Sequence, residues 1–236
     1  MKITITILLI SIAVLITACQ TTKTTTTESV VLMDITDKSL VSPKADEIVK
    51  LYDFDKSKWN GGVFRFSDIS QVSINPTQEA SINAGNQWLS NEFQRKDEIK
   101  LFENSIADII TKAEQGTTSQ NKSSVYLPIA NELNLLSQNK SEKRILIIYS
   151  DLFENTESLS FYRKKDFEKL KTKPEQIQKS LEEQASINSL SGIEIYFIYQ
   201  PGDSKSDVNF QIVSGFYKKL LEDKGAKVNI SANLNF

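Results

Sequence analysis

The chain has 236 residues, 39% hydrophobic and 25% charged, which is an ordinary globular composition with enough apolar side chains for one sizeable core. Its formal net charge of −2 and sequence pI of about 5.5 exclude the strongly basic field on which nucleic-acid binding depends. Histidine is absent and Cys19 is the one cysteine, which excludes Ser-His-Asp and Cys-His catalysis, imidazole-bound zinc, and a disulfide within the chain.

Residues 1–19 have the pattern of a signal peptide. Lys2 is followed by an almost continuous apolar run, and its length of about 14 residues suits an h-region, since a bilayer-spanning helix needs roughly 20. The run ends in Ile16-Thr17-Ala18-Cys19, which resembles the lipobox of bacterial lipoproteins. The resemblance implies that Cys19 is acylated, that the preceding peptide is removed, and that lipid anchors the domain outside the cytoplasm. The alternative is a free cysteine that ends an uncleaved amphiphilic helix.

A threonine-rich segment follows at residues 20–29, with six threonines and one lysine. Because it offers no apolar side chain to bury, we predict a flexible tether between the anchor and a single domain at residues 30–236. The expected location is a bacterial cell membrane or outer membrane.

From residue 30 onward, short β-rich runs alternate with helical periods. This pattern predicts an α/β, Rossmann-like fold in which helices cover both faces of a mostly parallel sheet with an antiparallel edge hairpin. Strands are predicted at 30–35, 144–151, 193–199 and 226–231, with the hairpin at 61–75. Helices are predicted at 43–52, 99–115, 124–138, 174–189 and 208–224. The expected caps and helix-terminating glycines are Ser42, Ser124, Asp207, Gly116, Gly192 and Gly225.

Two of the predicted core strands end in aspartate, at Asp34 and Asp151. In open parallel sheets, ligands bind at the carboxyl ends of the strands, at the point where the strand order reverses. If these two strands are neighbours there, the two carboxylates converge, and with nearby hydroxyls they form an oxygen site suited to Mg²⁺ or Ca²⁺. The alternative is that each aspartate is a solvated strand end or caps the turn that follows.

This order of elements resembles the von Willebrand factor type A domain, over roughly residues 29–231. The resemblance implies a metal-ion-dependent adhesion site built from three loops. It also implies a non-enzymatic protein that binds a partner from the cell envelope through Mg²⁺, or Ca²⁺ or Mn²⁺. The first-loop motif DxSxS falls on Asp34, Thr36 and Lys38 with Ser39 one residue later, the second-loop threonine falls on Ser123 or Ser124, and the third-loop aspartate is Asp151.

Lys38 stands where the family has its second hydroxyl. A lysine cannot ligate a cation, and its ammonium could take the cation's place. The alternative function is therefore a metal-free structural or scaffold lipoprotein of an envelope assembly, without a cofactor.

The enzymatic alternative is phosphoryl transfer on Asp34, with Lys38 or Lys164 contacting the phosphate. Haloacid-dehalogenase-type enzymes have DxDx[TV] at this position, and Thr36 replaces the second aspartate, which is their general acid. The glycines form neither GxGxxG nor GxxxxGK, so a nucleotide is not expected either. We therefore predict a protein that is not an enzyme.

The basic stretch RKKDFEKLKTK occupies residues 163–173. Because Asp166 and Glu168 interrupt the lysines, it is predicted to be the solvated face of a helix. Contact with an acidic partner or with anionic lipid headgroups is the alternative.

Overall fold

One six-stranded sheet organises the residues that the computed structural model describes, which are 23–35, 41–69, 77–87, 90–115 and 123–234. Its strands are β1 (Thr26–Asp34), β2 (Gly61–Ile69), β3 (Thr77–Ile82), β4 (Lys143–Tyr149), β5 (Ile193–Ile198) and β6 (Lys227–Ser231). They lie in the order β3-β2-β1-β4-β5-β6. Neighbouring strands are parallel except β2 and β3, which form an antiparallel hairpin at one edge.

Helices cover both faces of this sheet. They are α1 (Ala45–Val49), which continues as a 3₁₀ turn (Lys50–Tyr52), α2 (Glu92–Gln115), α3 (Tyr126–Gln138), α4 (Lys164–Thr172), α5 (Pro174–Glu182) and α6 (Ser204–Glu222). One hydrophobic core joins the sheet to α1 and α2, and a second joins it to α3, α4, α5 and α6. The predicted three-layer, mostly parallel α/β architecture is therefore confirmed. No helix in the described ranges is both long enough and apolar enough to cross a bilayer.

Strand β1 lies at the centre of the sheet, buried on both faces. Val30 and Leu32 contribute to the core beneath α3, whereas Val31 and Met33 contribute to the core beneath α1 and α2. An uninterrupted apolar run is what a parallel strand between two layers of helices requires, because every side chain meets a hydrophobic core. The run VVLM in the sequence thus fixes β1 in the interior.

The strand order reverses between β1 and β4. From β1 the chain continues to β2 and β3 on one side, and β4, β5 and β6 then extend the sheet on the other side. Met33 of β1 pairs with Tyr149 of β4, so the next residues, Asp34 and Ser150, lie beside each other at the carboxyl ends of the two strands. This reversal is where open α/β sheets bind their ligands.

The largest correction to the predicted strands is at the start of β1. The prediction places this strand at 30–35 and the preceding residues in the tether, whereas β1 begins at Thr26, and residues 27–29 are buried. Their polar side chains find partners from elsewhere in the chain: Glu28 pairs with Arg65, and the hydroxyl of Ser29 lies 2.6 Å from that of Tyr52. In the edge hairpin, β2 is one continuous strand and its partner is β3, which lies beyond the predicted range of 61–75.

The ends of the helices differ from the prediction more than their positions in the chain do. Helix α2 begins at Glu92 rather than near residue 99, and α5 ends at Glu182 rather than 189. The caps predicted at Ser42, Ser124 and Asp207 are wrong, because the N-cap positions are Lys44, Val125 and Asp203. Asp203 accepts a hydrogen bond from the backbone N–H of Ser206 at 2.7 Å. Gly225 follows α6 with a φ of 97°, as predicted, whereas Gly192 (φ 77°) lies in the turn before β5.

Candidate functional site

Asp34 is the last residue of β1, and its side chain is held by the neighbouring strand. Only 3% of Asp34 is exposed, and its Oδ2 accepts a hydrogen bond from Ser150 Oγ at 3.2 Å. Ser150 directly follows β4, and its Oγ also accepts a hydrogen bond from the backbone N–H of Leu152 at 2.9 Å. The buried carboxylate of Asp34 is thus connected to the first turn of the loop after β4.

Asp151 belongs to the same loop, one residue beyond Ser150. Its Oδ1 accepts a hydrogen bond from the backbone N–H of Phe153 at 2.8 Å, and its Oδ2 accepts one from the Tyr162 hydroxyl at 3.0 Å. Leu152, between Asp151 and Phe153, has a φ of 64°. This left-handed conformation costs a residue other than glycine roughly 1 kcal/mol. Burial of Leu152 in the core offsets this strain, so the carboxylate is held in a defined position.

Glu154 is a third acidic side chain of this loop, and it is completely buried. Its Oε2 accepts hydrogen bonds from the backbone N–H groups of Val125 and Tyr126, at 2.9 and 3.0 Å. These groups belong to the first turn of α3, which has no cap from its own side chains. Glu154 therefore caps α3 from outside the helix, in the position expected for Ser124.

The loops before α3 and after β4 are also joined through their backbones. Asn155 N–H donates to the carbonyl oxygen of Ser123 at 2.9 Å, and this contact forms an isolated antiparallel bridge. Since Ser123 and Ser124 precede α3, and Asp151 and Glu154 follow β4, the bridge and the Glu154 cap together hold the two loops at one edge of the sheet.

Burial is the main electrostatic influence on Glu154. It raises the pKa of this carboxyl, while the hydrogen bonds at the start of α3 and the nearby Ser124 hydroxyl lower it, and the Asp34 carboxylate raises it. No lysine or arginine of the described residues forms an ion pair with Glu154. Two acidic groups, Asp34 and Glu154, therefore share one buried region.

Three buried oxygen atoms in this region lack a hydrogen bond of standard geometry to the described residues, although the Ser124 hydroxyl lies close enough to the Glu154 carboxylate to lower its pKa. They are Glu154 Oε1, Ser124 Oγ and the hydroxyl of Tyr217 from α6. Burial raises the pKa of Tyr217 well above its ordinary value, and Glu154, Tyr126 and Asp151 raise it further. Glu154 and Asp151 are thus among the groups that act electrostatically on the Tyr217 hydroxyl.

The predicted ligand residues divide into two groups. Asp34, at the end of β1, and Ser124 and Asp151, on neighbouring loops, lie at the carboxyl ends of the parallel strands. Nowhere in the described ranges do three or more acidic or cysteine side chains form a group that could hold a metal ion. The remaining predicted site residues lie outside the described ranges; they are Thr36, Lys38, Ser39 and Cys19.

Sequence reasoning missed Ser150, Glu154 and Tyr217. A signal existed for Ser150, because it is the hydroxyl residue between an apolar strand and Asp151. Glu154 gave no local signal, since its partners on α3 precede it by more than 25 positions in the chain. Tyr217 fits the apolar face of α6, so its pattern predicts a core residue.

No protein-family model matches this chain, and no curated protein matches it either. Among solved structures it is similar to the conserved hypothetical protein BatB from Bacteroides thetaiotaomicron, with 11% sequence identity and a TM-score of 0.37. The similarity covers 88% of this chain and 91% of that one. The fold described above depends on the strand order and pairing within this chain, not on that similarity.

Proposed function

We propose that this protein is a lipid-anchored, non-enzymatic interaction module of the bacterial cell envelope, with a domain of the von Willebrand factor type A kind. It holds a divalent cation at the carboxyl ends of β1 and β4 and binds a partner protein there. The proposed cation is Mg²⁺, which Ca²⁺ or Mn²⁺ can replace, and the anchor is the lipid on Cys19. The ligands proposed from the sequence are Asp34, Thr36, Ser39, Ser124 and Asp151, and the buried Glu154 carboxylate joins them.

The observation that supports a cation best is the buried Glu154 carboxylate, which forms no ion pair with a described lysine or arginine and whose Oε1 has no hydrogen bond of standard geometry. Buried polar atoms almost always have a hydrogen-bond partner, and buried charges are paired or coordinate a metal ion. A cation in this region would offset the negative charge of Glu154, and it would give Glu154 Oε1 a partner. Oxygen atoms alone make up this set, which suits Mg²⁺ and Ca²⁺.

Binding of a partner follows from the way hard cations are coordinated. Mg²⁺ and Ca²⁺ keep coordination positions that water fills and that another carboxylate can take. Asp34 is held by Ser150, and Asp151 is held by Phe153 and Tyr162. Because these side chains are already ordered, binding a cation and a partner carboxylate would cost little further side-chain entropy.

Calorimetric titration of the full chain in detergent with Mg²⁺, Ca²⁺ and Mn²⁺ tests the cation. We expect saturable binding at millimolar concentration or below, and a loss of at least about tenfold in affinity for Asp34→Asn, which removes a ligand charge. Asp223→Asn is the matched control, because Asp223 is exposed at the far end of α6. Absence of binding by all three ions would contradict the cation proposal.

Lys38→Ser separates the cation-dependent function from the metal-free alternative. The substitution restores a hydroxyl at the position where the type A motif has one, and it removes a positive charge. For the proposed function we expect cation binding by the native chain and tighter binding by the variant. Binding by the variant alone would favour the metal-free scaffold, with Lys38 as an internal counter-ion.

A further inference from the structure

An exposed basic surface lies next to the candidate site. We define the α4 patch as Tyr162, Arg163, Lys164 and Lys165, which are consecutive and all exposed. Residues 163–173 contain six basic and two acidic side chains, a net charge of +4 on a chain whose net charge is −2. Positive charge is therefore concentrated along this helix, and three of the six basic residues lie at its start.

The α4 patch is joined directly to Asp151. Tyr162 is 63% exposed, yet its hydroxyl donates to Asp151 Oδ2 at 3.0 Å. The Tyr162 ring packs against Phe153 with 5.1 Å between ring centroids, and Phe153 in turn contacts Phe161 and Phe167. An aromatic cluster thus holds the patch in place beside the Asp151 carboxylate.

The charges of the patch are only partly neutralised within the described part of the chain. Arg163 forms an ion pair with Asp166 at 2.7 Å, whereas no described acidic group forms one with Lys164 or Lys165. Partial burial raises the pKa of Asp166, but the Ser160 N–H, Arg163 and, more weakly, Lys165 hold it below its ordinary value. This carboxylate is therefore engaged mainly by Ser160 and Arg163, and it forms no ion pair with Lys165. Both lysines also lie in the first turn of α4, where the helix dipole disfavours cations.

We infer that the α4 patch is a docking surface for an acidic segment of the partner protein. The inference rests on the proposed function: a partner carboxylate that completes the cation's coordination would bring its neighbouring acidic side chains onto Lys164 and Lys165. Tyrosine and arginine are enriched among the residues that dominate binding energy at interfaces, and exposed lysines steer an oppositely charged partner.

The position of the patch favours a protein over anionic lipid headgroups. The patch lies at the carboxyl ends of the parallel strands, next to Asp151, whereas Lys23 precedes β1 and lies at their amino ends. In a chain anchored through Cys19, the edge at Lys23 is the one nearest the bilayer. The α4 patch is therefore directed away from the membrane.

Fluorescence anisotropy with a fluorescein-labelled peptide of alternating glutamate and glycine tests this surface, in the presence of Mg²⁺. We expect Lys164→Glu/Lys165→Glu to weaken peptide binding by about tenfold or more, and salt above about 0.5 M to weaken it in the native chain. The matched control is Lys100→Glu/Lys112→Glu, which changes the same charge at exposed positions of α2 on the other face of the sheet. The control is expected to bind like the native chain.

Calorimetry with Mg²⁺ on the same proteins separates the two proposals. Loss of peptide binding in the α4 variant with retained Mg²⁺ binding supports the patch. Peptide binding that depends on the patch in a chain that binds no cation also supports it, and contradicts only the proposed cation. Equal weakening by the α2 control would overturn the inference. Binding to vesicles of phosphatidylcholine and phosphatidylglycerol, but not to the peptide, would overturn it as well.

Discussion

At the scale of single residues, Glu154 has the most consequential environment among the described residues of the site. One carboxylate oxygen accepts the backbone N–H groups of Val125 and Tyr126 at the start of α3, and the other has no hydrogen bond of standard geometry to the described residues. The first oxygen has a structural task, because it satisfies donors at a helix end that no other described side chain caps. The second is available to a ligand, so substitutions of this residue can separate stability from binding.

We expect Glu154→Gln to change the free energy of unfolding by less than about 1 kcal/mol, because an amide oxygen still accepts the N–H groups of Val125 and Tyr126. Glu154→Ala leaves those donors unpaired and opens a cavity, and should cost about 3 kcal/mol. Urea unfolding measures both values. In calorimetry, Glu154→Gln should bind Mg²⁺ more weakly than the native chain, since it has lost a nearby negative charge. Equal destabilisation by both substitutions would contradict the capping role.

At the scale of elements, a buried ion-pair network joins β1, β2 and α3. Arg65 of β2 pairs with Glu28 of β1 and, at 2.9 Å, with Glu132 of α3, and all three side chains are at most 15% exposed. Burial raises the pKa of Glu28, although the Arg65 guanidinium lowers it and Glu132 and Glu79 raise it further. Arg65 thus offsets only part of the cost of burying Glu28.

This network gives the protein a pH-dependent term in its stability. Because folding raises the pKa of Glu28 above its ordinary value of 4.5, its contribution is complete below that pH and is lost as the pH rises through the folded-state pKa. Urea unfolding is therefore expected to show the native chain losing stability relative to Glu28→Gln from about pH 4.5 towards neutrality. Glu175→Gln, at an exposed position of α5, is the control. A native-minus-variant difference that is constant with pH would contradict this assignment.

The fold class was predictable from the sequence, whereas several element boundaries were not, and this network shows why for the start of β1. Apolar runs such as VVLM and ILII satisfy the demands of a two-sided core by themselves, so their positions follow from pattern alone. The first residues of β1 are polar, and their burial depends on Arg65 and Tyr52, which no local pattern connects to them. Tertiary partners therefore decided where this strand begins.

Partners distant in the chain also decided the cap of α3 and part of the candidate site. Ser124 has the right residue type and position for a cap, yet Glu154 reaches the helix end from a distant loop and replaces it. Asp34 and Asp151 were recognisable because each follows an apolar strand. The roles of Ser150 and Glu154, which hold the loop in place, depend on contacts with the neighbouring strand and helix, so no local sequence pattern predicts them.

At the scale of the whole molecule, the length of the sheet separates the start of β1, near the proposed lipid anchor, from the candidate site at the end of β1. Lys23 and the start of β1 lie at the amino ends of the parallel strands, and Asp34 lies at their carboxyl ends. Strand β1 has nine residues, and at about 3.3 Å each it spans about 30 Å. Glu92 at the start of α2 pairs with Lys58, just before β2, which places Phe93 at the same edge as Lys23. A short connection from Cys19 to Lys23 would therefore keep the Phe93 edge near the bilayer and the site far from it.

Energy transfer to acceptor-labelled lipids can measure this orientation. The chain is labelled at Phe93→Cys or at Tyr162→Cys, both exposed positions, with Cys19 itself acylated. In vesicles we expect markedly stronger transfer from position 93 than from position 162, because the two dyes lie at opposite edges of a sheet about 30 Å long. Cys19→Ser in either background should abolish transfer, since the chain then has no lipid to hold it at the membrane. Equal transfer from the two positions would contradict the proposed orientation, and stronger transfer from position 162 would show that the site faces the bilayer.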